Sequence, residues 1–180
     1  MFLWLIQKRR SIRRFTERRV EPEKIDVLVE AALRSPSSRG FNPWQFIVVT
    51  EQDLLAKLSR AKVQGSSFLE NAPLGIVICA DPNKSDVWVE DASIASIFVH
   101  LAAESLGLGS CWIQIRKRMH DKTKTAEAYV REVLDIPESL QIESIVAVGH
   151  PDETKPPHNK EELQYDKVYD NYHGKPFHNL

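Results

Sequence analysis

Between Lys8 and Phe15 the chain reads KRRSIRRF, five positive charges in eight residues of a protein whose formal net charge is −1. Charge so concentrated invites an anion. Arginines three or four residues apart at a helix-to-loop junction can turn their guanidinium forks, with a serine hydroxyl such as that of Ser11, onto one phosphoryl group. Tracking a nucleic-acid backbone demands a larger basic surface. Seven of the 24 lysines and arginines lie between Lys8 and Arg19, and the remainder of the chain is acidic, with 17 basic against 24 acidic residues. From charge alone, a small phosphate site, a solvated helix end and a nucleic-acid patch are the three readings.

Other chemistry has few footholds. The one Gly-x-Gly, at Gly107 and Gly109, lacks a third glycine and precedes a strand, the reverse of a dinucleotide-binding turn. Phosphate-loop, zinc-protease and nucleophile-elbow motifs are missing. His100, His120, His150, His158, His173 and His178 are scattered, so no metal site is expected. Cys79 and Cys111 each sit in an apolar run, as buried thiols would. A chain without an activated nucleophile or a metal can still be an enzyme when a cofactor carries the reaction.

The elements that must position these residues follow from periodicity. At 180 residues, 42% hydrophobic and 27% charged, the chain fits one soluble globular domain, residues 1–180. MFLWLI is too short for a signal sequence and no run approaches a membrane span, so the expected location is the cytoplasm, with no membrane partner. Phe2, Leu3, Leu5 and Ile6 predict a short helix, and Pro22 opens another that runs to Leu33. WQFIVVT, LGIVICA, SCWIQI and ESIVAVG predict four strands, and a helical pattern surrounds Leu54, Leu55 and Leu58. From Ala92 to Leu106 the chain is apolar nearly all round and stops at Gly107. Its polar exceptions, Ser93, Ser96, His100 and Glu104, form one stripe. A helix shared with a partner subunit and a core helix with a polar seam both account for that pattern. Residues 151–180, rich in proline, charge and aromatics, read as an extended arm.

Four ordered stretches now resemble the nitroreductase family of flavin mononucleotide (FMN) dependent oxidoreductases. RRSIRRF is similar to the family's opening Arg-Arg-Ser-x-Arg-x-Phe, and SPSSRGFNPWQFIVV to its Pro-Ser loop and Pro-Trp-x-Phe strand. AAESLGLGSCWI is similar to its helix, Gly-Leu-Gly turn and Cys-Trp-Ile strand. VAVGHPDE with KVYDNYHGKP is similar to its closing strand and aromatic arm.

The resemblance implies an α+β fold, a central mixed and largely antiparallel sheet flanked by helices, in a homodimer whose C-terminal arm is exchanged. It implies FMN as cofactor, NADH or NADPH as donor, and a nitroaromatic, quinone or similar small molecule as acceptor, by ping-pong hydride transfer with no catalytic side chain. Reductive dehalogenation or flavin fragmentation on the same scaffold is the alternative enzyme reading, and a non-enzymatic anion or nucleic-acid module the alternative of another class. Arg9, Arg10, Ser11 and Arg13 would grip the FMN phosphate and ribityl chain; Arg14, Arg18 and Arg19 are surplus. Pro36, Ser37 and Ser38 would reach the flavin of the other subunit, and Asn42 is a further cofactor-binding candidate. Trp112, Ile113 and Gln114 would lie beside the ring, and Gln64 and Gly65 at its pyrimidine edge. Where many members carry Asn then Gln before the Pro-Trp pair, this chain has Gly40 and Asn42. Where many place a basic pair early in the arm, it reads PPHNK, which leaves Lys160 with His158 to complete the phosphate site.

Overall fold

The computed structural model describes residues 2–177, so of the histidines above His178 lies outside the described residues. In chain order the elements are α1 (Phe2–Lys8), α2 (Pro22–Leu33), β1 (Trp44–Val49), α3 (Gln52–Leu58), β2 (Leu74–Ala80), α4 (Trp88–Ser105), β3 (Gly109–Gln114), α5 (Ala126–Leu134) and β4 (Gln141–Gly149). The four strands form one sheet in the order β1-β2-β4-β3, and every neighbouring pair is antiparallel. Its only parallel element among the described residues is the bridge of Ser11 to Ser110, beside β3.

β2 and β4 are central and covered on both faces, which explains their uninterrupted apolar runs. One face packs Leu74, Ile76, Ile78, Val146 and Val148 against α2 and α4. The other packs Val77, Cys79, Ile145 and Ala147 against α3 and α5, together with Ile12 and Phe15 from the N-terminal segment. α5 is an element the periodicity analysis does not predict; Thr125 caps it by accepting from the Ala128 amide.

The polar stripe of α4 turns onto the chain's own sheet. Ser96 Oγ lies 3.2 Å from Ser144 Oγ, and His100 Nδ1 lies 2.7 Å from Ser110 Oγ. Burial lowers the His100 pKa to about 4, so the ring is neutral at pH 7. Between the two sequence-based readings, the seam therefore faces inward, while Ile94 and Ile97 stand on the outer side, 38% and 44% exposed.

Gly109 and Gly149 face each other across β3 and β4. A Cβ at Gly109 would meet Ile12 Cγ2 at 2.7 Å, and one at Gly149 would meet Pro73 Cδ at 2.6 Å. These gaps let the N-terminal segment lie flat on the sheet. Gly109→Ala should cost about 1–3 kcal/mol in urea unfolding, the range for overpacking a core; an unchanged midpoint would show that Ile12 yields freely.

Candidate active site

The basic segment is fixed against the start of β3. The Ile12 amide donates to Ser110 O at 3.0 Å, the Thr16 amide to His150 O at 2.9 Å, and the Asp152 amide to Arg14 O at 2.9 Å. Glu153 Oε1 accepts from the Arg13 amide at 2.5 Å and the Arg14 amide at 3.2 Å, and the first of these bonds chiefly holds its carboxyl below the usual range. Lys155 Nζ donates to Ser11 O at 2.6 Å. The pairing uses up the edge of β3 only at Ser110.

Beyond that point β3 is an edge strand. Ser110 O points outward to Ile12, and alternate residues send their backbone groups the same way, so the amides of Trp112 and Gln114 face the free edge. Ile113 is different. Its backbone pairs with Ile145 and its side chain is fully buried in the core, so it faces the sheet interior and not the free edge. The amide of Gln114 is held in one orientation: Oε1 accepts from Trp112 Nε1 at 2.9 Å, while Nε2 donates to Arg116 O and to Glu143 Oε1, each at 3.2 Å. Glu143 stands at the irregularity where β4 shifts register against β2. It is 3% exposed, and burial raises its pKa.

Cys111 marks the middle of the site. In sequence its nearest following cation is Arg116, yet the fold brings Arg13, Lys155 and Lys62 close enough to draw its pKa down. Burial outweighs them and leaves the thiol above its ordinary value. Cys111→Ala should therefore keep at least about a tenth of wild-type turnover, a barrier change of no more than ~1.4 kcal/mol. A thousandfold loss with cofactor still bound would move the chemistry onto this thiol.

Lys62 and Lys155 are candidate site residues that the sequence does not single out, because nothing local ties them to β3. Lys62 arrives with Gln64 and Gly65, whose φ of +81° suits a glycine turn, and all three line or flank one small cavity beside Arg118. Arg13 lies over the Phe68 ring at 5.8 Å. Arg9 shares a cavity of about 690 Å³ with His158 and Lys160, between α1 and the arm. Arg10 instead donates to Pro156 O and so clamps the arm. Arg14 pairs with Asp152 at 3.1 Å, and Arg18 pairs with Glu21; both arginines are exposed.

The Pro36–Asn42 loop lies apart. Ser37 Oγ bonds the Asn42 amide and side chain, and the Ser38 amide donates to the buried Asp91 at 2.8 Å. Among the described residues no hydrogen bond or ion pair joins this loop to the basic segment. The structure thus gathers Arg9, Ser11, Arg13, Gln64, Gly65, Trp112 and Gln114 around one sheet edge and leaves Pro36, Ser37, Ser38 and Asn42 at another place.

Guanidinium forks, a lysine, a serine and outward backbone amides form a donor set for a phosphate and for the polar rim of a planar ring. Comparison with known proteins places the chain in a family. The profile described as "Nitroreductase family" matches residues 6–67 and 60–150. A solved structure of an FMN-dependent nitroreductase from Clostridium difficile R20291 superposes with a TM-score of 0.93 at 47% identity, covering 94% of this chain and 99% of that one. An Archaeoglobus fulgidus protein, provisionally named an NADH dehydrogenase/NAD(P)H nitroreductase, is 40% identical over 85% of this chain and 87% of its own. "FMN reductase [NAD(P)H]" of Bacillus subtilis is 30% identical over 79% of this chain and 62% of its own.

Proposed function

From the premise that the chain belongs to the nitroreductase family, we propose that it is an NAD(P)H-dependent FMN oxidoreductase acting on nitroaromatic, quinone or similar flat acceptors. The observation that supports this best is the juxtaposition at β3: a basic segment bonded to Ser110, followed by a free edge carrying the amides of Trp112 and Gln114. Bound FMN supplies hydride acceptance and donation. The protein supplies the rest.

Arg9 and Arg13 neutralise the phosphate, and the Ser11 hydroxyl adds a donor. Lys62 and the edge amides would supply positive potential to a ring seated along β3, a setting that favours electron uptake. Gln114, locked by Trp112 and Glu143, keeps its strand amide in register without moving during turnover. Two half-reactions can share one face when the donor leaves before the acceptor arrives, which is why the kinetics should be ping-pong.

The protein acts as a homodimer in this reading. Ile94 and Ile97 on α4 and Phe2, Leu3, Trp4 and Ile6 on α1 are large, apolar and exposed, a surface suited to a second copy. The Ser37–Ser38 loop then contributes to the partner's site, and the arm from Pro151 crosses over. No described helix is long and apolar enough to cross a membrane.

The test is reconstitution. Purified protein should be yellow or take up one FMN per chain, and should then oxidise NADH or NADPH with parallel lines in double-reciprocal plots against the acceptor. Protein that stays colourless with FMN in excess would end this reading.

A further inference from the structure

Past Gln114 the chain turns through Arg116, Lys117, Arg118 and Met119, with Lys117 at φ 56°. This turn is joined to the loop after α3 by a bond from the Val63 amide to Met119 O at 3.4 Å. A cavity of about 300 Å³ lies between the two, lined by Lys62, Val63, Gln64, Arg118 and Met119. It borders the end of the strand that carries Gln114.

Two kinds of unmet demand meet in this cavity. Among the described residues, neither Lys62 Nζ nor the Arg118 guanidinium has a hydrogen-bond partner or a paired carboxylate. Asp121, the acid nearest them along the turn, is occupied by the amides of Thr123 and Lys124. Burial chiefly lowers the Lys62 pKa and Arg118 adds to the effect, so the two cations also feel each other. Beside them Val63 and Met119 are 71% and 46% exposed, apolar surface left in the open next to uncompensated charge. A molecule with a flat apolar body and an anionic group satisfies both demands at once.

We propose that this cavity receives the anionic group of the second substrate, a carboxylate on the acceptor or a phosphate of the nicotinamide donor, while the planar part reaches the edge of β3. The proposal rests on the flavin reading above. Arg118 is a specificity residue in it, and Met119 and Val63 are the apolar wall.

Arg118 is open to substitution because its backbone does the folding work: its amide donates to Ile115 O at 3.1 Å and its carbonyl accepts from Ala126 N at 2.9 Å. The experiment compares wild type, Arg118→Ala and Arg118→Glu with para-nitrobenzoate, uncharged para-nitrobenzamide, NADH and NADPH, following each half-reaction by stopped flow. Loss of one charge-assisted contact should lower kcat/KM for the carboxylate about tenfold in Arg118→Ala and further in Arg118→Glu, with the amide within about twofold. A loss confined to the donor half-reaction instead assigns the cavity to the donor's phosphate. Salt should slow the charged acceptor and spare the neutral one in wild type. Equal effects on charged and uncharged substrates, or none in either half-reaction, overturn the proposal. Turnover of the neutral acceptor keeps that outcome distinct from a failure of the flavin reading, which would abolish both.

Discussion

Protein carrying Arg9→Ala and Arg13→Ala together should bind FMN roughly a thousandfold more weakly than wild type in a fluorescence titration. The size follows from the contacts at stake. A charge-assisted hydrogen bond contributes about 2 kcal/mol, so two add to about 4 kcal/mol, and each 1.4 kcal/mol is about a factor of ten. Their surroundings single these two arginines out from their neighbours. Arg9 is half-buried and close enough to His100 to lower its pKa, and Arg13 lies near Cys111 and over Phe68. Arg14 and Arg18 are already paired with Asp152 and Glu21. Arg18→Ala is therefore the control, with FMN affinity unchanged within about twofold. Arg10→Ala is expected to act indirectly, by releasing Pro156 and loosening the arm. If the double variant binds FMN as Arg18→Ala does, the phosphate is held elsewhere.

Where sequence reasoning succeeded and where it failed have physical causes. β2 runs from Leu74 to Ala80, the bounds of its apolar run, because a central strand buries every residue and so writes its limits in composition. α5 was not legible in the same way. Its apolar residues Ala126, Tyr129, Val130, Val133 and Leu134 keep helical spacing, but over nine residues only, a shorter window than a periodicity reading needs. Its better signals are the Thr125 cap and Asp135, which ends it at φ 52°. The basic segment could be read because its charges are contiguous. Lys62, Lys155 and Glu153 could not, since their nearness to Cys111, Ser11 and Arg13 is created only when the sheet places distant segments side by side. Ile113 is placed differently from its two neighbours. It stands between two residues that do face the edge, and strand alternation turns it inward. Glu143 is a carboxylate inside an otherwise apolar strand. At the register shift beside it that buried group turns toward Gln114, whose Nε2 donates to its Oε1.

Deleting residues 165–180 should weaken dimerisation at least a hundredfold, about 3 kcal/mol, and should strip FMN from the protein on gel filtration. The segment contains Val168, Tyr169, Tyr172 and Phe177, which are 40%, 40%, 77% and 41% exposed in the isolated chain. Within the arm, Tyr169 bridges only to Pro176 and stacks obliquely on His173 at 4.5 Å, so the hairpin-like tip closes on itself and leaves its aromatic faces free. Aromatics left open in this way are the residues that carry interface energy, because each buries a large area at small entropic cost. The rest of the candidate interface, Ile94 and Ile97 on α4 and the apolar residues of α1, is untouched by the deletion, so the loss should be large without being complete. Flavin retention should fall with dimerisation, since the Ser37–Ser38 loop has no bond to the basic segment of its own chain and would serve a site only across the interface. His158, Lys160 and Arg9 all remain in the truncated protein, which separates loss of the partner from loss of the phosphate contacts. Sedimentation velocity at micromolar concentration, with absorbance read at both the protein and flavin bands, measures mass and cofactor in one run. A truncated protein that sediments as a monomer and still carries one FMN would show that each chain completes its own site, and the exchanged arm would have to be abandoned.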